Sequence, residues 1–163
     1  MASSSSAWVP PGSPDIGPEG TAPRRPGEYQ SALLNAHGEA IAAHCTRRFY
    51  ALWPGLLARY GERGREHTHE DQFWHLSTLD TAMLLESPAT FTEYVQWLRG
   101  FLAGRGMGDD IGGANFVLLK EAVAQLALAP EEAAERQLVL GYLDQALALF
   151  PPEALVLPQL PTE

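Results

Sequence analysis

Proline and glycine fall at intervals that leave only helix-length stretches between them, and this punctuation constrains the fold more than any other feature of the chain. Pro54-Gly55, Ser87-Pro88, Gly106, Pro130 and Pro151-Pro152 divide residues 28–150, and each stretch repeats apolar residues at helical spacing. In the first, Leu34, Ile41, Cys45, Phe49 and Leu52 recur along one face. After Pro54-Gly55, "GLLARYG" reads as a short last turn or a separate helix, and the glycines of "GERG" mark a corner. A second helix is predicted from about Glu66 to Glu86. It is apolar around most of its circumference, which suits a central position in a bundle.

The third stretch carries the clearest boundaries. Ser87 suits an N-cap and Pro88 the first helical position, with Phe91, Tyr94, Val95, Leu98, Phe101 and Leu102 as the buried stripe. Arg105 falls in the last turn and Gly106 at the position beyond the cap. Asp109-Asp110 can cap a fourth helix with Leu119, Ala122, Val123 and Leu126 inside, although its early "GGAN" weakens the first turn by about 1 kcal/mol per glycine. Pro130 with Glu131-Glu132 opens a fifth, whose stripe is Leu140, Leu143, Leu147 and Phe150. With no convincing strand and no internal repeat, the expected fold is all-α, a single bundle of four to five helices over residues 28–150.

The two ends differ from this body. Residues 1–27 are rich in Ser, Pro and Gly and lack apolar periodicity, so a disordered N-terminal segment is expected, with Trp8 an accident of composition rather than a docking element. Residues 151–163, "PPEALVLPQLPTE", are apolar but broken by prolines, and read as an extended C-terminal tail that packs over the bundle or docks elsewhere.

Charge narrows the partners. Eleven Lys and Arg stand against 20 Asp and Glu in 163 residues, a net charge of −9 with no basic cluster, which argues against nucleic acid. No apolar run approaches the length of a membrane span, and the first residues lack the pattern of a secretory signal. Cys45, alone in the chain, allows no intramolecular disulfide and no cysteine-based zinc site. A cytoplasmic protein is expected, with a protein partner and a homo-oligomer both compatible with its surface.

One segment, "REHTHEDQFWHL" (residues 65–76), holds three of the five histidines. His67, Asp71 and His75 stand at i, i+4 and i+8, within a helical arc of roughly 80°. Two imidazoles and a carboxylate in that arc suit a metal or a tetrapyrrole, with His44 of the first helix as a further contact. The three span about 12 Å of rise, so one ion cannot take all of them from this helix alone. Neither Glu-x-x-His nor His-Glu-x-x-His occurs. The competing reading is structural: the acids offset a helix dipole, and His75 sits at the edge of the Leu76, Leu79 and Met83 stripe. The structural reading is the stronger of the two.

Catalysis has little support. His44 and Cys45 are adjacent, so on a helix they point about 100° apart, and Cys45 shares the spacing of Ile41 and Phe49. "GRGMGDDIGG" has neither a preceding strand nor a following Lys-Ser/Thr, so it is a connecting loop rather than a phosphate cradle.

Over roughly residues 49–107, "RYGERGRE…EDQFWHLSTLDTAMLLESPATFTEYVQWLRGFLAGRGM" resembles a helical segment of bacterial sensory and cobalamin-associated proteins. The resemblance is carried by Arg59-Tyr60-Gly61, Gly64-Arg65, Glu70-Asp71, His75-Leu76, Phe91, Tyr94-Val95, Trp97 and Arg105-Gly106. It implies a regulatory helical module working beside a cofactor-binding or signalling domain. The Asp-x-His-x-x-Gly lower-ligand motif of a cobalamin domain is missing, which sets direct cobalamin binding aside. Within that segment, Arg65 is expected to pair with Glu70 or Asp71, or else to meet an anionic ligand. Asp71 is expected to orient His75, Tyr94 to be core, and Trp97 to be a half-exposed rim residue or a partner contact.

Two functions follow. The first is a non-enzymatic regulatory or scaffolding module that binds a protein partner through Trp97 and the tail residues Leu155, Leu157 and Leu160. The second is a ligand-sensing bundle that binds a metal or tetrapyrrole through His75 with Asp71, Arg65 and His44.

Overall fold

A computed structural model describes residues 22–160 as an all-α bundle, with no strand among the described residues. Its helices are α1 (Ala32–Leu52), α2 (Pro54–Leu84), α3 (Pro88–Gly104), α4 (Asp109–Ala124) and α5 (Pro130–Leu147), followed by a single 3₁₀ turn, Pro152–Leu155. None of them is long and apolar enough to cross a membrane. α1 packs chiefly on α2 and α4, while α3 and α5 close the sides. Leu33, Leu34, Ile41, Phe73, Leu76, Phe91, Val95, Phe116, Leu119 and Leu143 form the centre of the core.

Local chemistry sets the boundaries. Ser31 Oγ accepts the Leu34 N–H at 3.1 Å and starts α1. Trp53 leaves helical dihedrals because it precedes Pro54, and Pro54 then opens α2. The expected corner in "GERG" is a single residue: Gly61 lies at φ 71°, ψ −169°, and the helix resumes at once, earlier than the predicted Glu66. α2 is therefore a short arm and a long arm hinged at Gly61.

α3 begins as expected, with Ser87 Oγ accepting the Thr90 N–H at 3.3 Å. It ends at Gly106 (φ 80°), where Gly106 N–H donates to Ala103 and Met107 N–H to Leu102, the paired bonds of a Schellman end. α2 ends the same way, Glu86 N–H donating to Met83 and Ser87 N–H to Ala82, but with a glutamate at the left-handed position (φ 53°). A residue with a Cβ is strained there by roughly 1 kcal/mol. Glu86→Gly is expected to raise the urea midpoint by the equivalent of about 1 kcal/mol, and an unchanged or lower midpoint would show the strain to be relieved elsewhere.

The weak start expected for α4 is present as helix and has a packing role. A Cβ on Gly113 would lie 2.8 Å from Leu155 Cδ2, and one on Gly112 would lie 3.3 Å from Leu102 Cδ1. The glycines let Phe150 and the tail approach α4 closely. Asp109 is the first residue of the helix rather than a cap, and its carboxylate takes Arg99 Nε and Nη2 at 2.9 and 2.8 Å. In α5 the buried face is Val139, Tyr142, Leu143 and Ala146, with the predicted Leu140 and Leu147 on its flanks.

The N-terminal boundary moves. Residues 1–21, with Trp8, lie outside the described residues, but residues 22–27, expected to be disordered, form a strap fastened to α2. Arg24 N–H donates to Ser77 Oγ at 2.8 Å, and its guanidinium reaches Ser77 O, Asp80 Oδ2 and Thr81 Oγ1. Asp80, fully buried, also accepts the N–H groups of Gln30 and Ser31 at 2.9 Å each. Composition hid this strap because charge-assisted bonds to a distant helix fasten it, with Pro23 alone of residues 22–27 buried.

Candidate functional site

The long arm of α2 presents Thr68, Asp71 and His75 at i, i+3 and i+7 on one face, and these line a cavity inside the bundle. α1 contributes Phe49 and Tyr50. The hinge at Gly61 folds Leu56 and Tyr60 over one side, and α3 and α4 supply Leu98, Leu102, Ile111 and Asn115. The lining residues that retain some exposure are Leu56, Tyr60, Met107, Ile111 and Asn115, which marks the open side. The space available to the centre of a water-sized sphere is about 40 Å³. A single water needs on the order of 10–15 Å³ by that measure, so the cavity holds several waters or a small organic molecule.

Most polar groups around it are paired. Tyr50 OH meets Thr68 Oγ1 at 2.8 Å, and Thr68 donates in turn to Gly64 O. Gln72 Nε2 donates to Asn115 Oδ1 at 3.0 Å. His75 Nδ1 meets Tyr94 OH at 2.8 Å. Burial holds the His75 imidazole neutral, its pKa pushed down to about 3, and raises the Tyr94 phenol well above its usual value.

Asp71 is the exception. It is 4% exposed and its Oδ1 has no hydrogen-bond partner among the described residues. Desolvation, with a smaller contribution from neighbouring Glu70, raises its carboxyl well above the ordinary range. A buried acceptor without a donor costs about 1–3 kcal/mol, so a stable fold that keeps one is carrying a penalty.

Several expected contacts form differently. Asp71 does not orient His75, whose recorded hydrogen bond goes to Tyr94; two groups four residues apart on a helix share a side without having to touch. Arg65 pairs with neither Glu70 nor Asp71 but approaches Glu62 at 3.8 Å, while Glu70 is taken by Arg25 of the strap. His44 lines no part of the cavity. Its Nε2 meets Glu121 Oε2 at 2.6 Å, and Arg48 binds the same carboxylate, which together lower the Glu121 pKa to about 2. His75 and His44 are therefore committed to different interfaces. No group of three or more His, Cys, Asp or Glu side chains among the described residues is spaced to hold a metal ion. A tetrapyrrole macrocycle is far larger than the cavity. Cys45 is buried, and desolvation raises its thiol well above its usual value, so it is a poor nucleophile.

On the outer side of α3, Tyr94, Trp97 and Phe101 stack in sequence, with centroids 6.2 and 5.4 Å apart, and the Arg105 guanidinium lies 4.5 Å from the Phe101 ring. Trp97 is 46% exposed. The tail residues expected to meet a partner divide: Leu155 and Leu157 lie against the bundle's own core, and Leu160 is exposed.

Tyr94, Tyr50, Tyr60 and Thr68 were not foreseen as site residues. The signal available in the sequence was Thr68 at three residues before Asp71 on the His75 face; Tyr50 and Tyr94 arrive from other helices and Tyr60 from across the Gly61 hinge, and none carries a local signature.

Comparison with known protein families, with curated proteins and with solved structures finds no match to this chain.

Proposed function

We propose that this chain is a non-enzymatic, cytoplasmic regulatory module that senses a small ligand held in the cavity beside Asp71 and His75. One observation carries the reading: the Asp71 carboxyl is buried at a cavity wall with an unpaired oxygen. A purely structural carboxylate would gain a donor or be replaced by an apolar residue at no loss, whereas a ligand site keeps a polar group for what it binds. The link from His75 through Tyr94 to the exposed Trp97 gives occupancy a route to the surface. The resemblance to sensory helical modules agrees with this role, and the ligand takes the place of the metal or tetrapyrrole expected from the histidines.

A screen of small molecules by thermal shift tests it, using the full chain and Ile111→Trp, which fills the cavity from its rim. A ligand present at 100 times its Kd stabilises by about 2.7 kcal/mol. Wild-type protein is expected to show such hits and the filled variant to lose them. Equal shifts in both, or no hit at all, would defeat the reading.

Binding of a protein partner is the second reading, favoured by the half-exposed Trp97 in its aromatic stack. It expects Trp97→Ala to weaken partner capture without changing ligand shifts.

A further inference from the structure

The lining of the cavity says more about its occupant. We propose that it recognises a small organic cation, an ammonium group on a short apolar arm, with Asp71 as the counter-charge. This rests on the cavity being a ligand site.

Among the described residues, no Lys or Arg contributes to the lining, and the nearest guanidinium in sequence, Arg65, lies beside Glu62. Asp71, the one acid among the described residues of the wall, is therefore without a positive partner there. An anionic ligand would meet that carboxyl with nothing to compensate it, and His75, held neutral by burial, supplies no charge. Phe49 and Tyr50 bring aromatic rings to the same space, which attract a cation, and the third ring, Tyr60, already holds the Arg59 guanidinium 5.2 Å from its centroid. Leu98, Leu102 and Met107 offer an apolar wall for a short alkyl arm.

The proton balance follows. Desolvation shifts the Asp71 carboxyl of the free protein towards its protonated form. When the ammonium enters, it stabilises the carboxylate, and any proton Asp71 carries leaves to solvent, so binding below the raised carboxyl value releases protons, up to one per ligand. The ionisable groups around Asp71 are Tyr50 from α1, Tyr60, Glu70 and His75 from α2, and Tyr94 from α3; the α4 residues on the wall, Ile111, Gly112 and Asn115, carry none. Of these, Tyr50, Tyr94 and His75 stay neutral near pH 7 and Glu70 is held by the Arg25 guanidinium, which leaves Asp71 as the source of the proton. Apparent affinity accordingly rises with pH until Asp71 is ionised in the free protein.

Calorimetric titration with n-butylamine, n-butanol and butyrate, in two buffers of different ionisation enthalpy, tests the inference on wild type and Asp71→Asn. Butylamine is expected to bind at least about tenfold more tightly than butanol, as one buried charge-assisted contact implies, and to release protons that butanol does not; butyrate is expected not to bind. Asp71→Asn is expected to remove the preference of amine over alcohol together with the proton release. Butanol or butyrate binding as tightly as butylamine, or an amine preference that survives in Asp71→Asn, would overturn the cation while leaving the cavity a ligand site. If butylamine fails to bind while the thermal-shift screen yields other hits, the cation is wrong and the ligand site stands. If the screen is empty as well, both fall.

Discussion

Replacing Asp80 with alanine destabilises the protein by about 2–4 kcal/mol, the largest effect expected of any single substitution considered, because backbone donors lose a charged acceptor. The fully buried carboxylate accepts the backbone N–H groups of Gln30 and Ser31 and the Arg24 guanidinium; its loss deprives two backbone donors of their acceptor, while Arg24 keeps Ser77 O and Thr81 Oγ1. The two backbone donors lie immediately before α1, and Arg24 fastens the strap over α2. In a chain of this size each kcal/mol lowers the melting temperature by about 2–4 °C, so a fall of roughly 10 °C is expected. Limited proteolysis gives a second readout, because cleavage within residues 22–31 should accelerate in the variant. A wild-type midpoint and an unchanged cleavage pattern would show that the strap is held by its apolar contacts, such as buried Tyr29, rather than by the carboxylate.

Asp71→Asn has the opposite sign. The folded-state pKa of Asp71 is raised, so the stability associated with its proton is fully present below the ordinary carboxylate pKa of about 3.9 and is lost as pH rises through the folded value. At neutral pH and above, the group is a cost that asparagine does not carry. Relative to wild type, the variant should gain about 1.4 kcal/mol for each pH unit climbed between the ordinary and the raised carboxyl values, and the gain should shrink towards nothing near pH 4. Urea denaturation at about pH 4 and about pH 8 measures this directly. A variant less stable than wild type at both would mean that the carboxylate makes a structural bond, and the case for a ligand would go with it. A substitution that stabilises the fold while removing its binding contact is the usual mark of a functional position.

The contrast between these two aspartates shows what the sequence can and cannot disclose. Helix boundaries were legible where one residue's own chemistry decides them: Ser87-Pro88 opens α3 and Gly106 closes it because a cap, a fixed φ and a left-handed turn are local requirements. Gly61 was legible only as a corner, since nothing nearby shows that the helix resumes within one residue. The placement of Asp71 and His75 on one side of a helix also followed from spacing. Their partners did not, because Tyr94 comes from α3 and Tyr50 from α1, and long-range packing leaves no periodic trace. The same holds for the separation of His44 from His75: both are compatible with one bundle site by spacing, and the Glu121–Arg48 pair on α4 and α1 decides otherwise. Arg24 sat in a tract whose composition argued for disorder, and its role depends on Asp80, more than fifty residues away.

The most direct measurement is an NMR titration of the Asp71 side-chain carboxyl carbon in the free protein and again with saturating n-butylamine. A midpoint well above the ordinary carboxylate range in the free protein, falling when the amine is bound, is the predicted result. An ordinary midpoint that the amine leaves unmoved would contradict the account, because Asp71 would then be a solvated acid at a cavity wall with no partner to wait for.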